Sequence, residues 1–172
     1  MSKIIVTYFE PFGGRTTNAS KEVVSLLSEY QTKELPVSWS KIPAYLDEIL
    51  NEKPDYLFLI GEAGSYKEIT IERTAHNISN GKDNEGVNKD NEPIIVGDKE
   101  VKTTLFDLSK LTYHISDNAG KYLCNYTYYL ALSKAETCKV LFVHLPYTEK
   151  TGPNSLDNLK RDLLNIIETL SE

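Results

Sequence analysis

Three short runs in this chain are apolar without alternation: KIIVT at Lys3–Thr7, YLFLI at Tyr56–Ile60 and KVLFVHL at Lys139–Leu145. Strands that read this way are covered on both faces, as in sheets flanked by helices. Each run is closed by a breaker: FEPFGG after the first, GEAG after the second and Pro146 after the third. Helical patterns lie between them. Asn18 or Ser20 caps a helix running to about Tyr30, with Val23, Val24, Leu26 and Leu27 inward. Ile42, Tyr45, Leu46, Ile49 and Leu50 place a second helix over 42–51, which Pro54 stops. Pro153, Asn154 and Ser155 open a last helix, with Leu156, Leu159, Leu163, Ile166, Ile167 and Leu170 on one face. Weaker strands are expected at 34–38, 69–77 and 112–115. The polar stretch SNGKDNEGVNKDN, 79–91, reads as a loop or mobile hairpin. Alternating strands and helices predict a single α/β domain over 1–172, a sheet with helices on its faces.

Bulk properties narrow the function. The net charge is −6 and no dense Lys/Arg stripe is present, which argues against nucleic acid. No apolar stretch is long enough for a membrane helix, and the N-terminus lacks the features of a signal peptide. Two cysteines, Cys124 and Cys138, make no disulfide framework, and no His/Cys cluster suggests a metal. Reduced thiols in the cytoplasm fit this usage.

Open α/β sheets carry their sites at the carboxyl ends of strands. Four unusual stretches lie at such ends: FEPFGG, GEAG, AGKYLCN and HLPY. Cys124 stands at the mouth of an apolar, aromatic helix. It reads either as a small packed hydrophobe or as a thiol whose pKa a helix N-terminus lowers. His144, at the end of an apolar run, reads alone as a core histidine, and Glu72 alone as a solvated or ion-paired side chain. Together a thiol, an imidazole and a carboxylate are what a cysteine hydrolase requires.

These motifs in this order resemble the pyroglutamyl peptidase I, or pyrrolidone-carboxylate peptidase, family. VTYFEPFGGRTTNAS matches its N-terminal signature, GEAGSYKEITIERTAHN its glutamate motif, ISDNAGKYLCN its cysteine motif and VHLPYT its histidine motif. The resemblance implies an α/β/α sandwich with a twisted mixed sheet. It implies a cytoplasmic enzyme, commonly a homotetramer, without metal or organic cofactor, that removes N-terminal pyroglutamate from peptides. Cys124 would be the nucleophile, His144 the base and Glu72 the carboxylate that orients it. Phe9 and Phe12 would flank the flat lactam ring, and Asn18 would make a polar substrate contact.

The chain also departs from the pattern. Tyr8 stands where the family usually has glycine, beside the expected pocket. Glu62 replaces a frequent glutamine and would face the lactam, Asn118 replaces a smaller residue and Thr74 an aliphatic one. The family's arginine after the glutamate motif is missing, with Lys82 the nearest cation. The segment between Pro93 and Cys124 is short, as though a helix were absent. Two other readings therefore stand beside the peptidase: a diverged member that binds a small ligand or partner through the same pocket, and the same chemistry on another small N-terminal acyl group.

Overall fold

The computed structural model describes residues 1–172. Its centre is a six-stranded sheet built from β1 (Ile4–Phe9), β2 (Gln31–Leu35), β3 (Tyr56–Glu62), β4 (Thr70–Glu72), β9 (His114–Ser116) and β10 (Lys139–Leu145). Their order is β2-β1-β3-β10-β4-β9. The first four run parallel, β4 is antiparallel to β10, and β9 is parallel to β4. The sheet is thus mixed and mostly parallel. The three apolar runs are its central strands β1, β3 and β10.

Both faces are covered, which is why these strands carry no alternation. On one face Ile5, Phe9, Leu57, Leu59 and Phe142 pack with α2 (Ile42–Asn51) and α3 (Leu123–Lys134). On the other Val6, Phe58, Ile60, Leu141 and Val143 pack with α1 (Ala19–Val24) and α4 (Leu156–Leu170). In α4 Leu159, Leu163, Ile166, Ile167 and Leu170 are buried, and Ser155 caps its start.

Local elements differ from the sequence expectations where partners intervene. α1 is capped by Asn18 and ends at Val24 rather than near Tyr30, and the chain leaves it through tight turns at Leu26 and Leu27. Leu26 consequently lies exposed. The strand expected at 34–38 lies earlier, at the sheet edge, where QTKEL needs little apolar surface. The run 69–77 is two strands. β4 stays in the central sheet, whereas β5 (Thr74–His76) turns out at Arg73 to pair with β8 (Val101–Thr103). Only a one-turn 3₁₀ helix, Leu108–Lys110, stands ahead of β9.

The 79–91 segment is a pinned hairpin of β6 (Ser79–Lys82) and β7 (Asn88–Glu92). Buried Asp83 accepts the amides of Trp39, Glu85 and Val87, and Asn84 donates to Glu10 and the Pro11 carbonyl. The Trp39 indole donates to the Gly81 carbonyl. Polar side chains tie this hairpin to its neighbours through hydrogen bonds, in place of apolar contacts.

Candidate active site

β10 presents Phe142 and then His144 on one face, two residues apart. Its antiparallel partner β4 sets Glu72 opposite Phe142, diagonal to His144. Glu72 is wholly buried, and the His144 Nδ1 to Glu72 Oε1 distance is 2.8 Å. With Nδ1 donating to the carboxylate, Nε2 is the nitrogen left to accept a proton. The ring is held by Phe142, centroids 4.7 Å apart, and edge-on by Tyr66 at 5.6 Å.

On the other side of β10, β3 places Gly61 in register with His144. A Cβ at Gly61 would lie 2.8 Å from Cys124 Sγ and 2.6 Å from Phe142 Cζ. The absent side chain is therefore what lets the thiol settle on the sheet beside the histidine strand. Cys124 is the second residue of α3, whose N-cap, Tyr122, offers no side-chain acceptor to the first amides. Those amides, ahead of the first intrahelical bond from Tyr126 N–H to Tyr122 O, form an electropositive helix start at the thiol. Buried Asn125 anchors this end of α3. Its side-chain amide donates to the His76 and Ile78 carbonyls and accepts the His76 N–H. The loop ahead is tied by Asp117, which Arg73 Nε reaches at 2.8 Å.

The thiol is 8% exposed. Burial pushes its pKa well above the usual thiol range, and the carboxylates Glu72 and Glu62 add to this. In this conformation no hydrogen bond joins Sγ to the imidazole. Removing the thiol proton therefore calls for a base, and His144 borders the same open pocket of about 490 Å³. A larger pocket, about 640 Å³, lies at the opposite end of α3 and holds Cys138 and no histidine. Its chemistry does not match its size, so the smaller pocket is the candidate site.

Cys124, His144, Phe12 and Glu62 border the pocket, with Glu72 behind His144. Phe12 lies against Tyr122, centroids 5.7 Å apart. Phe9 is 2% exposed and packs on Phe142 in the core beneath, so only one of the two expected phenylalanines faces open space. Asn18 is fully buried as the α1 cap, accepting the Ser20 N–H and hydroxyl, with no partner for Nδ2. Tyr8 does not enter the pocket. Strand alternation turns it to the opposite face of β1 from Phe9, among the α1 and α4 side chains. Lys82 does not reach it either: its exposed side chain lies over Gly86, and only its carbonyl is linked to the site, accepting the Tyr122 hydroxyl at 2.6 Å.

Glu62 borders the pocket with both oxygens engaged. Ala19 N–H donates to Oε2 at 2.6 Å, and Arg15 Nε lies 3.1 Å from Oε1. Arg15 in turn stacks on Tyr147, 4.0 Å from its ring centre. Gly64 makes room for that ring, since a Cβ there would lie 2.2 Å from Tyr147 Cζ. Arg15, Tyr66, Tyr122 and Tyr147 are pocket residues that the sequence reading missed. Their signal was their place inside the same four motif loops.

The family model described as pyroglutamyl peptidase matches residues 2–158. The pyrrolidone-carboxylate peptidase of Fusobacterium nucleatum is 35% identical, over 99% of this chain and 93% of its own. That of Thermococcus kodakarensis is also 35% identical, over 99% of this chain and 96% of its own. The crystal structure of pyrrolidone carboxyl peptidase from Thermus thermophilus superposes with a TM-score of 0.89 at 28% identity, covering 97% of this chain and all of that one.

Proposed function

The chain belongs to the pyroglutamyl peptidase family, and on that premise we propose that it removes N-terminal pyroglutamate from peptides by thiol chemistry at Cys124. The observation that carries the residue assignment is the buried His144–Glu72 pair, 2.8 Å apart, with His144 on the strand next to the glycine under Cys124. Glu72 holds Nδ1–H, so Nε2 takes the thiol proton as sulfur attacks the pyroglutamyl carbonyl carbon. The amides at the start of α3 receive the developing oxyanion. Collapse of the tetrahedral adduct breaks the C–N bond, and the leaving amine takes the proton back from His144. Water, deprotonated at the same nitrogen, then attacks the thioester, and pyroglutamate leaves as the thiol is restored. The steps use side chains, backbone amides and water.

Phe12 offers its ring face to the lactam, while Phe9 backs the pocket from the core. Asn18 supports the site through the α1 cap. Glu62, bound to Ala19 and Arg15, does not meet the lactam; backbone C=O groups near it accept the ring N–H, and backbone N–H groups donate to the ring carbonyl. Tyr8 and Lys82 are given no substrate contact. The same reading treats the whole chain as one domain and carries with it the family's homotetramer and cytoplasmic setting, which light scattering and cell fractionation test. Hydrolysis of a fluorogenic pyroglutamyl amide by purified protein, absent in Cys124→Ala, tests the activity. No turnover by a folded wild-type protein would leave the ligand-binding reading in its place.

A further inference from the structure

Glu72 is completely buried, yet only two donors reach it, His144 Nδ1–H and the Tyr66 hydroxyl. Both arrive at Oε1, each at 2.8 Å, and Oε2 has no partner. His144 is its sole ion-pair partner, with no Lys or Arg alongside. A buried carboxylate depends strongly on the few donors it has. Tyr66 comes from the loop between β3 and β4, so it is independent of the strands that bring Glu72 and His144 together. Its ring stands edge-on to the imidazole, and its oxygen also lies 3.1 Å from the Asn118 carbonyl and 3.4 Å from Ser116 Oγ. The phenol has one proton for these acceptors, and Glu72 is the nearest and the only charged one. Burial and Glu72 both push the phenol's pKa up, so the proton stays on it.

We propose that Tyr66 is a positioning residue of the hydrolytic reaction, its hydroxyl orienting the Glu72 carboxylate toward His144. The proposal rests on the reading of Cys124, His144 and Glu72 as the reacting set. The terminal torsion of a glutamate is soft and nearly two-fold. Two donors converging on Oε1 select one of its orientations and hold that oxygen on the Nδ1–H line. Without the hydroxyl, the imidazole alone would hold the carboxylate, and Nε2 would be aimed at the thiol less well.

Tyr66→Phe tests this, because the ring and its edge-on packing remain. Loss of a hydrogen bond to a charged group predicts a fall in kcat of about tenfold, with KM changed by less than about twofold. In a Glu72→Ala background the same substitution should change kcat by less than about twofold, since the acceptor it acts on is gone. An equal loss in both backgrounds would assign the hydroxyl to the Asn118 loop and overturn the proposal. A second readout does not need peptide turnover: iodoacetamide should alkylate Cys124 about tenfold more slowly in Tyr66→Phe at neutral pH. Labelling and kcat both unchanged would overturn the positioning role. Rapid wild-type labelling without hydrolysis of pyroglutamyl amides would remove the peptidase reading instead, and the labelling ratio alone would then decide for or against Tyr66.

Discussion

The two ends of α3 each hold a buried, unpaired thiol, Cys124 at its start and Cys138 just past its finish. They are 8% and 7% exposed, and burial raises both pKa values. What separates them is company. Cys124 has the helix amides, an imidazole bordering the same pocket and a carboxylate behind it. Cys138 donates weakly to the Lys139 carbonyl, with Asp55 the charge felt nearby and no base. Burial alone silences a thiol, and a group placed to accept its proton restores reactivity.

The largest effect should fall on this contrast directly. Cys124→Ala should lower kcat/KM by on the order of 10⁴-fold or more, as for other nucleophile deletions. Cys138→Ala should stay within about threefold, because it touches no reacting atom. Comparable losses in both variants, in the fluorogenic assay, would break the comparison.

Next comes the company itself. His144→Ala should cost about as much as loss of the thiol, since such a unit is non-additive. Glu72→Gln should cost about 10²- to 10³-fold, within the range of general acid–base effects. Iodoacetamide labelling followed by mass spectrometry sharpens the point. Wild-type Cys124 should react well before Cys138 at neutral pH, and His144→Ala should slow only the former.

A smaller effect concerns pH. The Cys138 thiol is pushed up from 9.0 to about 12, mainly by burial and then by Asp55. The folded state thus disfavours its thiolate. The associated stability is fully present below the unfolded pKa and is lost as pH rises from about 9 toward about 12. Chemical denaturation across that window should show a shallower decline for Cys138→Ala than for wild type. Identical slopes would mean that the thiol ionises freely in the fold.

The smallest change is expected at Glu62→Gln. An amide oxygen can still accept from Ala19 N–H or Arg15, and the side chain does not meet the lactam in the proposed pose. kcat/KM toward pyroglutamyl amides should shift by less than about threefold, below the cost of an unpaired buried group. A rise of tenfold or more would put the carboxylate in the binding site.

How far the site was legible depends on which residues carried it. The β1, β3 and β10 runs showed themselves because both their faces are covered, and the four motif loops followed from where those strands end. Tyr8 was misjudged by adjacency to Phe9, although strand alternation separates neighbours to opposite faces. The hairpin at 79–91 was legible from its turn residues, but the hydrogen bonds by which Asp83, Asn84 and Trp39 tie it down leave no apolar pattern.

The sequence by itself determined the central strands, the α4 face, the family and the residue types a thiol hydrolase needs. These follow from short-range periodicity and from motifs contiguous in the chain. Only the tertiary structure decided that β4 runs antiparallel beside β10, which sets Glu72 against His144 across 72 positions of sequence. It alone seated Cys124 over Gly61, drew Arg15 to Glu62 and turned Tyr66 toward the carboxylate. Such pairings depend on sheet order and on loops packing against one another, and no local pattern of residues encodes either.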